Sequence, residues 1–394
     1  MVNSVGMVGG LILGIDASNI RAGGGVTHLS QLLTAAEPSE AKFEQIMVWS
    51  GASTLERLPD RSWLRKMHLP MLDKSLPWRI VWQQLLLPAA LKDNHCAALF
   101  SPGGTAPARL SVPSIVMSQS MLPFEPNEYA RYGLLSGMLW KLRLLRMAQM
   151  RSMRRADGLI FLTRYAQREM LRILGCDENR TAVIPHGIEE RFFSQPKTSI
   201  SVQDFTAARP FRLLYVSIVD MYKHQWQVAR AVAKLRRNGL PITVEFIGPA
   251  YPPALQRLQD TLMAVDPQGA FLHYRGPVAF PELHKAYQGA DAFVFASSCE
   301  NLPNIVLEAM AAGLPIASSN RGPMPEVLGD LGIYFDPESV DEIAAALQSL
   351  YEQPGLRNTL AQSAYTKARD YSWRQCAKAT FGFIADTIRS EPCT

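Results

Sequence analysis

Short apolar runs recur along the chain, separated mostly by longer stretches whose apolar positions return every three or four residues. That alternation of strand-like and helix-like segments is the pattern of parallel α/β architecture. In the first half, Leu11–Asp16 reads as a strand, residues 22–25 as a glycine-rich turn and 26–35 as a helix. Further strand-like runs follow at 43–49, 97–100, Ser114–Met117, 158–162 and 181–185. The second half is cleaner, with strands expected at 211–217, Ile242–Ile247, 270–274, 292–296, 315–318 and Gly332–Phe335. Helices fall between them, near 224–237, 253–265, 281–288, 303–312 and 323–328, and the chain turns helical after Phe335. The stretch 194–210 is mostly polar, without periodicity, and contains Pro196 and Lys197, so it reads as a linker between two domains. The expected division is 1–195, 196–370, and a terminal helix within 371–394 that packs back on the N-terminal domain.

Composition narrows the class without naming a chemistry. At 394 residues, 47% hydrophobic and 19% charged, the chain can bury two ordinary cores. The five cysteines, Cys96, Cys176, Cys299, Cys376 and Cys393, are scattered and never in a Cys-x-x-Cys spacing, which speaks for a reducing compartment and against structural zinc. The apolar stretch from Met7 to Ile15 runs straight into Asp16 with no basic region before it, and reads as a buried strand rather than a signal peptide. No apolar run approaches the roughly 18 residues of a spanning helix. These features suggest a cytoplasmic protein, soluble or peripheral on the inner face of the cell membrane.

The net charge of +5 is unevenly distributed. From Arg131 to Arg155 there are also Lys141, Arg143, Arg146, Arg151 and Arg154, and no acidic residue intervenes before Asp157. Leu, Met and Trp140 lie between the charges, fitting one or two basic amphipathic helices. Such a helix can lie on an anionic membrane surface, or can pack on a core with a basic solvated face. It lacks any recognised nucleic-acid-binding motif, so nucleic acid is not an expected partner.

In an open parallel sheet, ligands bind where strands end and helix N-termini begin. Three segments qualify. Gly23, Gly24 and Gly25 lie between the first strand and first helix, where a backbone can approach a ligand and free amides face an anion. The segment is neither Gly-x-Gly-x-x-Gly nor a P-loop. The loop after the strand at 211–217 carries Asp220, Tyr222, Lys223 and His224, and a lysine there can reach a phosphate across the strand ends. The third runs from Ser297 through Glu300, Asn301, Leu302, Pro303 and Asn304 to Glu308, a strand-to-helix loop with Asn304 and Glu308 on one helix face. Two carboxylates can thus border one cleft. A charge complementing the helix dipole plus a solvated glutamate would satisfy the same spacing.

The Glu300-x7-Glu308 pattern, continued by Ala309-Met310-Ala311-Ala312-Gly313-Leu314-Pro315, resembles the signature of glycosyltransferase family 4. The similarity covers most of 213–328, and more loosely Gly23 to Gly25 and Pro185-His186-Gly187. It implies the GT-B fold, two facing Rossmann-like domains with a cleft between them, and retaining sugar transfer; Lys223 and the helix N-terminus would stabilise the leaving charge without a metal, and no other cofactor is expected. The co-substrate would be a nucleotide sugar, a GDP- or UDP-hexose such as GDP-mannose. Glu308 would hold the ribose hydroxyls, Glu300 would sit beside the transferred sugar, and Lys223 with the amides of 301–304 would meet the diphosphate. Arg275 and Gly276 would lie near the nucleobase, and Gly24 and Gly25 in the donor site. The acceptor would be a saccharide or lipid-linked oligosaccharide in bacterial surface-polysaccharide synthesis.

Two departures stand out. An arginine common in the family shortly before the lysine is missing from Val216-Ser217-Ile218-Val219, and Gln119 occupies a usual histidine position. Glu125 and Glu128 are then candidates for an acceptor hydroxyl. No Asp-x-Asp occurs anywhere to clamp a diphosphate through a cation. Alternative readings are a non-catalytic nucleotide-sugar-binding protein and a dinucleotide-dependent oxidoreductase; the latter lacks its glycine fingerprint.

Overall fold

The computed structural model describes residues 10–21 and 23–390, so the start of the apolar stretch at Met7, Ala22 of the glycine-rich turn, and Cys393 lie outside it. The chain forms two compact units, one from the residues up to Phe124 with Trp140–Gly187 and the residues from Ser372 on, the other from Glu125–Leu139 and Ile188–Tyr371.

The first unit holds β1 (Leu11–Asp16), β2 (Phe43–Ser50), β3 (Leu64–His68), β4 (Ala98–Ser101), β5 (Ser114–Met117), β6 (Gly158–Phe161) and β7 (Thr181–Val183). All pair in parallel, in the order β3-β2-β1-β4-β5-β6-β7. The central strands are buried on both faces, which is why their sequences are apolar runs rather than alternations. β3 escaped that reading: Leu-Arg-Lys-Met-His occupies a sheet edge where only Leu64 is buried, and a charged edge strand carries no apolar run. Helices also unread in the sequence span Leu76–Val81 and Leu87–Asp93. Leu87 and Leu91 join Trp49, Leu72, Trp82 and Leu99 in a cluster under the sheet. The helix Trp373–Arg389 buries Cys376, Ala377, Phe381, Ile384 and Ala385 in this unit, with the Phe381 ring edge-on to Phe43.

The second unit holds β8 (Phe211–Val216), β9 (Ile242–Ile247), β10 (Leu272–Gly276), β11 (Ala292–Phe295), β12 (Ile316–Ser319) and β13 (Gly332–Phe335). They are again all parallel, in the order β10-β9-β8-β11-β12-β13. Each unit is therefore a Rossmann-like doubly wound sheet. Its strand order reverses at one place, between β1 and β4 in the first and between β8 and β11 in the second, the point at whose carboxyl ends open α/β sheets bind ligands.

Two expectations need correcting. The stretch 194–210 is packed rather than a free linker. Lys197 donates to the carbonyls of Gln288 and Ala290 (3.1 Å to the latter), and Phe205 stacks edge-on to Phe211. Pro196 lies so close to Gly313, whose φ is 65°, that a Cβ there would fall 2.7 Å from its backbone. Polar composition misled here because the contacts are long-range and partly made by backbone. Residues 125–139, placed by sequence order in the N-terminal domain, belong to the second unit, held there by hydrogen bonds and ion pairs of Glu128, Arg131 and Tyr132.

Candidate functional site

The loops that follow β8 and β11 stand side by side at the reversal of strand order in the second sheet. The first, Ser217 to His224, leads into the helix Gln225–Arg237; the second, Ala296 to Pro303, leads into the helix Asn304–Ala311. Lys223 and Glu300 come from these two loops and pair, Lys223 Nζ donating to Glu300 Oε1, with side chains only 6% and 14% exposed. The ammonium also lies 4.9 Å from the Tyr222 ring centre and 5.0 Å from that of Phe295. A cation so enclosed is a compact, directed charge rather than a solvated one.

His224, the residue after Lys223, is buried and has φ 50°, a left-handed conformation uncommon outside glycine. Such a conformation costs on the order of 1 kcal/mol or more and persists only where neighbours over-determine it. Here they do. His224 Nε2 lies 2.9 Å from Ser298 Oγ, Tyr215 donates its hydroxyl to the carbonyl of Lys223, and Gln225 donates to the carbonyl of Ile218 at 2.9 Å. Burial, aided by the nearby Arg131 cation, holds the His224 imidazole down at about 4, so it is neutral at pH 7.

Asn301, Leu302 and Pro303 are buried in the turn, and the helix begins at Asn304, one residue later than the sequence suggests, with Pro303 at the cap. The Asn304 amide donates to the Leu302 carbonyl at 3.0 Å and those of Val306 and Leu307 to the Pro303 carbonyl at 2.8 and 3.2 Å, and the positive end of the helix dipole lies at this turn. Val306, Leu307, Ala309 and Met310 face the core, leaving Asn304, Ile305 and Glu308 partly exposed. Glu308 Oε2 accepts from the hydroxyl of Tyr287 at 2.8 Å. Although part of its side chain reaches solvent, protein surrounds the carboxyl on most sides, and burial pushes it up to about 8.

A third element enters this site from far away in sequence. Glu128, on the short helix Pro126–Tyr129, is buried, not solvated as an exposed glutamate would be. It accepts from Ser298 Oγ at 2.6 Å and from Arg131 Nε at 2.8 Å. Arg131 continues to Glu338 at 2.8 Å, and Glu338 to Arg321 at 2.8 Å. The Arg131 hydrogen bond, opposed by burial, holds Glu338 down at about 2. Tyr132 donates to Asp220 Oδ1 at 2.8 Å, in the Lys223 loop, and burial raises the Asp220 carboxyl. Residues 128–132 thus fasten both loops that bear the Lys223–Glu300 pair. Glu125 opens this segment, half-buried; its charge adds to burial and Glu300 in holding the Cys299 thiol well above its ordinary value. Ser298, His224 and Asp220 had a sequence signal only in their clustering around Lys223 and Glu300, and Tyr132, 88 residues from Asp220, had none. Glu128, 170 residues from Ser298, had none beyond its charge.

The other predicted residues sit on other elements. Gly276 ends β10 with φ 78°, and Arg275 faces Glu245 on β9 at 3.9 Å. In the first unit Gly24 and Gly25 are the opening residues of the helix Gly24–Thr34, capped by Gly23 at φ 66°. A Cβ on Gly25 would lie 3.1 Å from the Gln119 carboxamide oxygen, so Gly25 and Gln119 are neighbours there.

In open α/β sheets, a reversal of strand order beside a helix N-terminus is where ligands bind. The family described as "Glycosyl transferases group 1" matches residues 197–367, and "Glycosyltransferase Family 4" matches residues 22–192. The chain belongs to glycosyltransferase family 4, enzymes of the GT-B fold. It is 26% identical over 229 residues to a D-inositol 3-phosphate glycosyltransferase of Paenarthrobacter aurescens (strain TC1), a match covering 56% of this chain and 55% of that one. It is 33% identical over 110 residues to the O-antigen chain mannosyltransferase B of Escherichia coli, covering 28% and 29%. The matched stretch thus spans about half the length of the first relative and less of the second. The crystal structure of Anabaena Alr3699/HepE in complex with UDP and glucose superposes with a TM-score of 0.70 at 17% identity, over 97% of this chain and 100% of that one. Among the described residues no helix is long and apolar enough to cross a membrane.

Proposed function

We propose that the chain is a retaining, metal-independent hexosyltransferase that moves a hexose from a nucleoside diphosphate sugar to a saccharide or lipid-linked oligosaccharide in surface-polysaccharide synthesis. The observation that carries this reading is the Lys223–Glu300 pair at the carboxyl ends of adjacent β8 and β11, with Glu308 on the helix that follows. Departure of the diphosphate builds negative charge, and Lys223 with the amides at the start of helix Asn304–Ala311 is positioned to meet it. The acceptor hydroxyl attacks the anomeric carbon on the face the diphosphate leaves; the new C–O bond forms as the old one breaks, and the hydroxyl proton passes to the departing phosphate oxygen. Glu300, beside Lys223, orients the sugar. Gly24, Gly25, Gln119 and Glu125 are assigned to the remaining donor and acceptor contacts, and Arg275 and Gly276 to the base.

The relatives point to two donors, since the Escherichia coli relative is a mannosyltransferase and the Anabaena structure holds UDP. A thermal-shift panel of GDP-mannose, UDP-glucose, the free diphosphates and NAD tests this directly, because a ligand bound only by the native state raises the melting temperature. Stabilisation by one nucleotide sugar and its diphosphate is expected, followed by a product whose anomeric configuration equals the donor's. An inverted product would falsify the retaining assignment, and stabilisation by NAD alone would overturn the whole reading. The missing arginine at 216–219 supports a second reading, a non-catalytic sugar-nucleotide binder. It predicts no turnover in the wild type for Glu308→Ala to remove.

Glu308 is assigned to the ribose hydroxyls, which donate to a carboxylate. Its acid form dominates at pH 7 in the free protein, so its ionisation costs native stability progressively from near the ordinary carboxylate range up to about 8. Nucleotide binding should therefore release a proton. Affinity for UDP or GDP is expected to climb between pH 6 and 8 by up to about tenfold per unit and then level off. Calorimetric titration checks this, and Glu308→Gln should flatten the slope that the nucleotide's own ionisation does not explain.

The basic helix Gly137–Arg155 is assigned to an anionic membrane surface on the cytoplasmic face, where a lipid-linked acceptor would be met.

A further inference from the structure

The helix Leu76–Val81 has no buried side chain. A helix this short does not stand in water on backbone propensity, and Leu76, Trp78, Ile80 and Val81 are all exposed on it. The turn that follows, Trp82–Leu86, continues the ridge with Leu85, 69% exposed, and Leu86. The same turn sends Trp82 into the core against Trp49, while Gln83 donates to Asp16 Oδ2 at 2.5 Å and to the Thr105 carbonyl at 3.1 Å. The ridge is thus fixed beneath and apolar above.

Across the loop at 105–108 lies the helix Gly137–Arg155. Gln84 holds the loop from one side, donating to the Ala106 carbonyl at 3.3 Å and accepting from the Ala108 amide at 3.0 Å. Ser152 accepts from the Ala106 amide at 3.0 Å and Arg155 donates to the Ala108 carbonyl at 3.2 Å from the other. Trp140, Leu144 and Met147 form an exposed stripe on that helix, at 57%, 62% and 60%, with Arg143, Arg151 and Arg154 exposed among and beyond them. Each segment carries an exposed tryptophan under a cation: Lys74 lies 4.9 Å from the Trp78 ring centre, and Arg143 5.1 Å from that of Trp140. Neither 74–92 nor 129–156 contains an aspartate or glutamate.

We propose that the ridge and the helix form one docking surface for a bilayer containing anionic lipid. The ridge side chains enter the acyl boundary, the tryptophans sit at headgroup level, and the helix cations meet lipid phosphates. A second copy of this chain would also cover an apolar ridge, but would bring cations against cations. The proposal deepens the membrane reading of the helix, adding an apolar element that salt does not screen.

The test is flotation of the full chain with vesicles of phosphatidylcholine alone or with roughly one part in four of phosphatidylglycerol, at about 0.1 M and 0.5 M salt. The wild type is expected to bind the anionic vesicles, more weakly but measurably at the higher salt. Trp78→Ser with Leu85→Ser should lower binding at the higher salt at least tenfold, with an unchanged melting temperature because both side chains are exposed. Arg143→Gln with Arg151→Gln and Arg154→Gln should instead remove the preference for anionic over neutral vesicles. Ridge variants that float like the wild type, or a wild-type dimer in sedimentation that the ridge variants dissociate, would overturn the proposal. The vesicles hold no donor or acceptor, so the ridge stands or falls independently of whether the acceptor proves to be lipid-linked. A helix variant that keeps its lipid preference defeats the electrostatic half.

Discussion

Replacing Lys223 by methionine is expected to lower the rate of sugar transfer by about 10²- to 10³-fold, the usual cost of losing one preorganised group that stabilises charge in a transition state. Methionine keeps most of the volume between the Tyr222 and Phe295 rings, so packing changes little. It leaves Glu300 without its partner, which costs on the order of 1–3 kcal/mol of stability for a group so enclosed. Kinetics well below the melting temperature separate the two effects. The loss should fall mainly on kcat, with the Kd of the free diphosphate weakened by less, because in the proposed mechanism the charge assigned to Lys223 is greatest as the sugar departs. A variant with wild-type kcat and a raised KM would make Lys223 a binding residue only.

The second large effect is expected at Glu128. Glu128→Ala removes the nearer acceptor of Ser298 Oγ, leaving it the Tyr222 carbonyl at 3.2 Å, and one of the two partners of Arg131, leaving a partly buried guanidinium short of hydrogen bonds. The stability loss should be about 2–4 kcal/mol. Transfer should also fall, by about tenfold or more, because Ser298 in turn steadies His224 in its left-handed conformation next to Lys223, and small misplacements of catalytic groups carry large rate penalties. Glu128→Gln is the informative partner. It retains an oxygen for Ser298 and gives up the charge, so it should recover most of kcat while remaining less stable than the wild type. Equal kinetic damage in Glu128→Gln and Glu128→Ala, at temperatures where both are folded, would show that the carboxylate's charge rather than its hold on Ser298 matters.

Both sheets were legible because most of their strands are short and largely apolar: β5 is buried throughout and β1 over its last four residues, β9 alternates buried and partly exposed positions, and the edge strand β13 still reads Gly-Ile-Tyr-Phe. What failed was whatever lacked that burial. β3 lies at an edge, and the helix Leu76–Val81 buries no side chain. The Glu300 to Glu308 spacing was legible because one loop and one helix carry it, so local geometry sufficed. The fastening of Ser298, His224 and Asp220 by residues 128–132 depends on contacts made across most of the chain, and periodicity is blind to them. The same blindness turned the packed stretch 194–210 into an apparent linker.

The placement of residues 125–139 bears on how this chain can be recombined with its relatives. A chimera cut between 187 and 188 would carry Lys223 and Glu300 from one parent and residues 125–139 from the other. Its second unit would then be a mosaic, with a foreign peptide asked to fit the Ser298 hydroxyl, the Asp220 carboxylate and Glu338 at once. The natural exchangeable module is discontinuous: Ile188–Tyr371 together with the fifteen residues Glu125–Leu139 excised from the middle of the other unit's sequence.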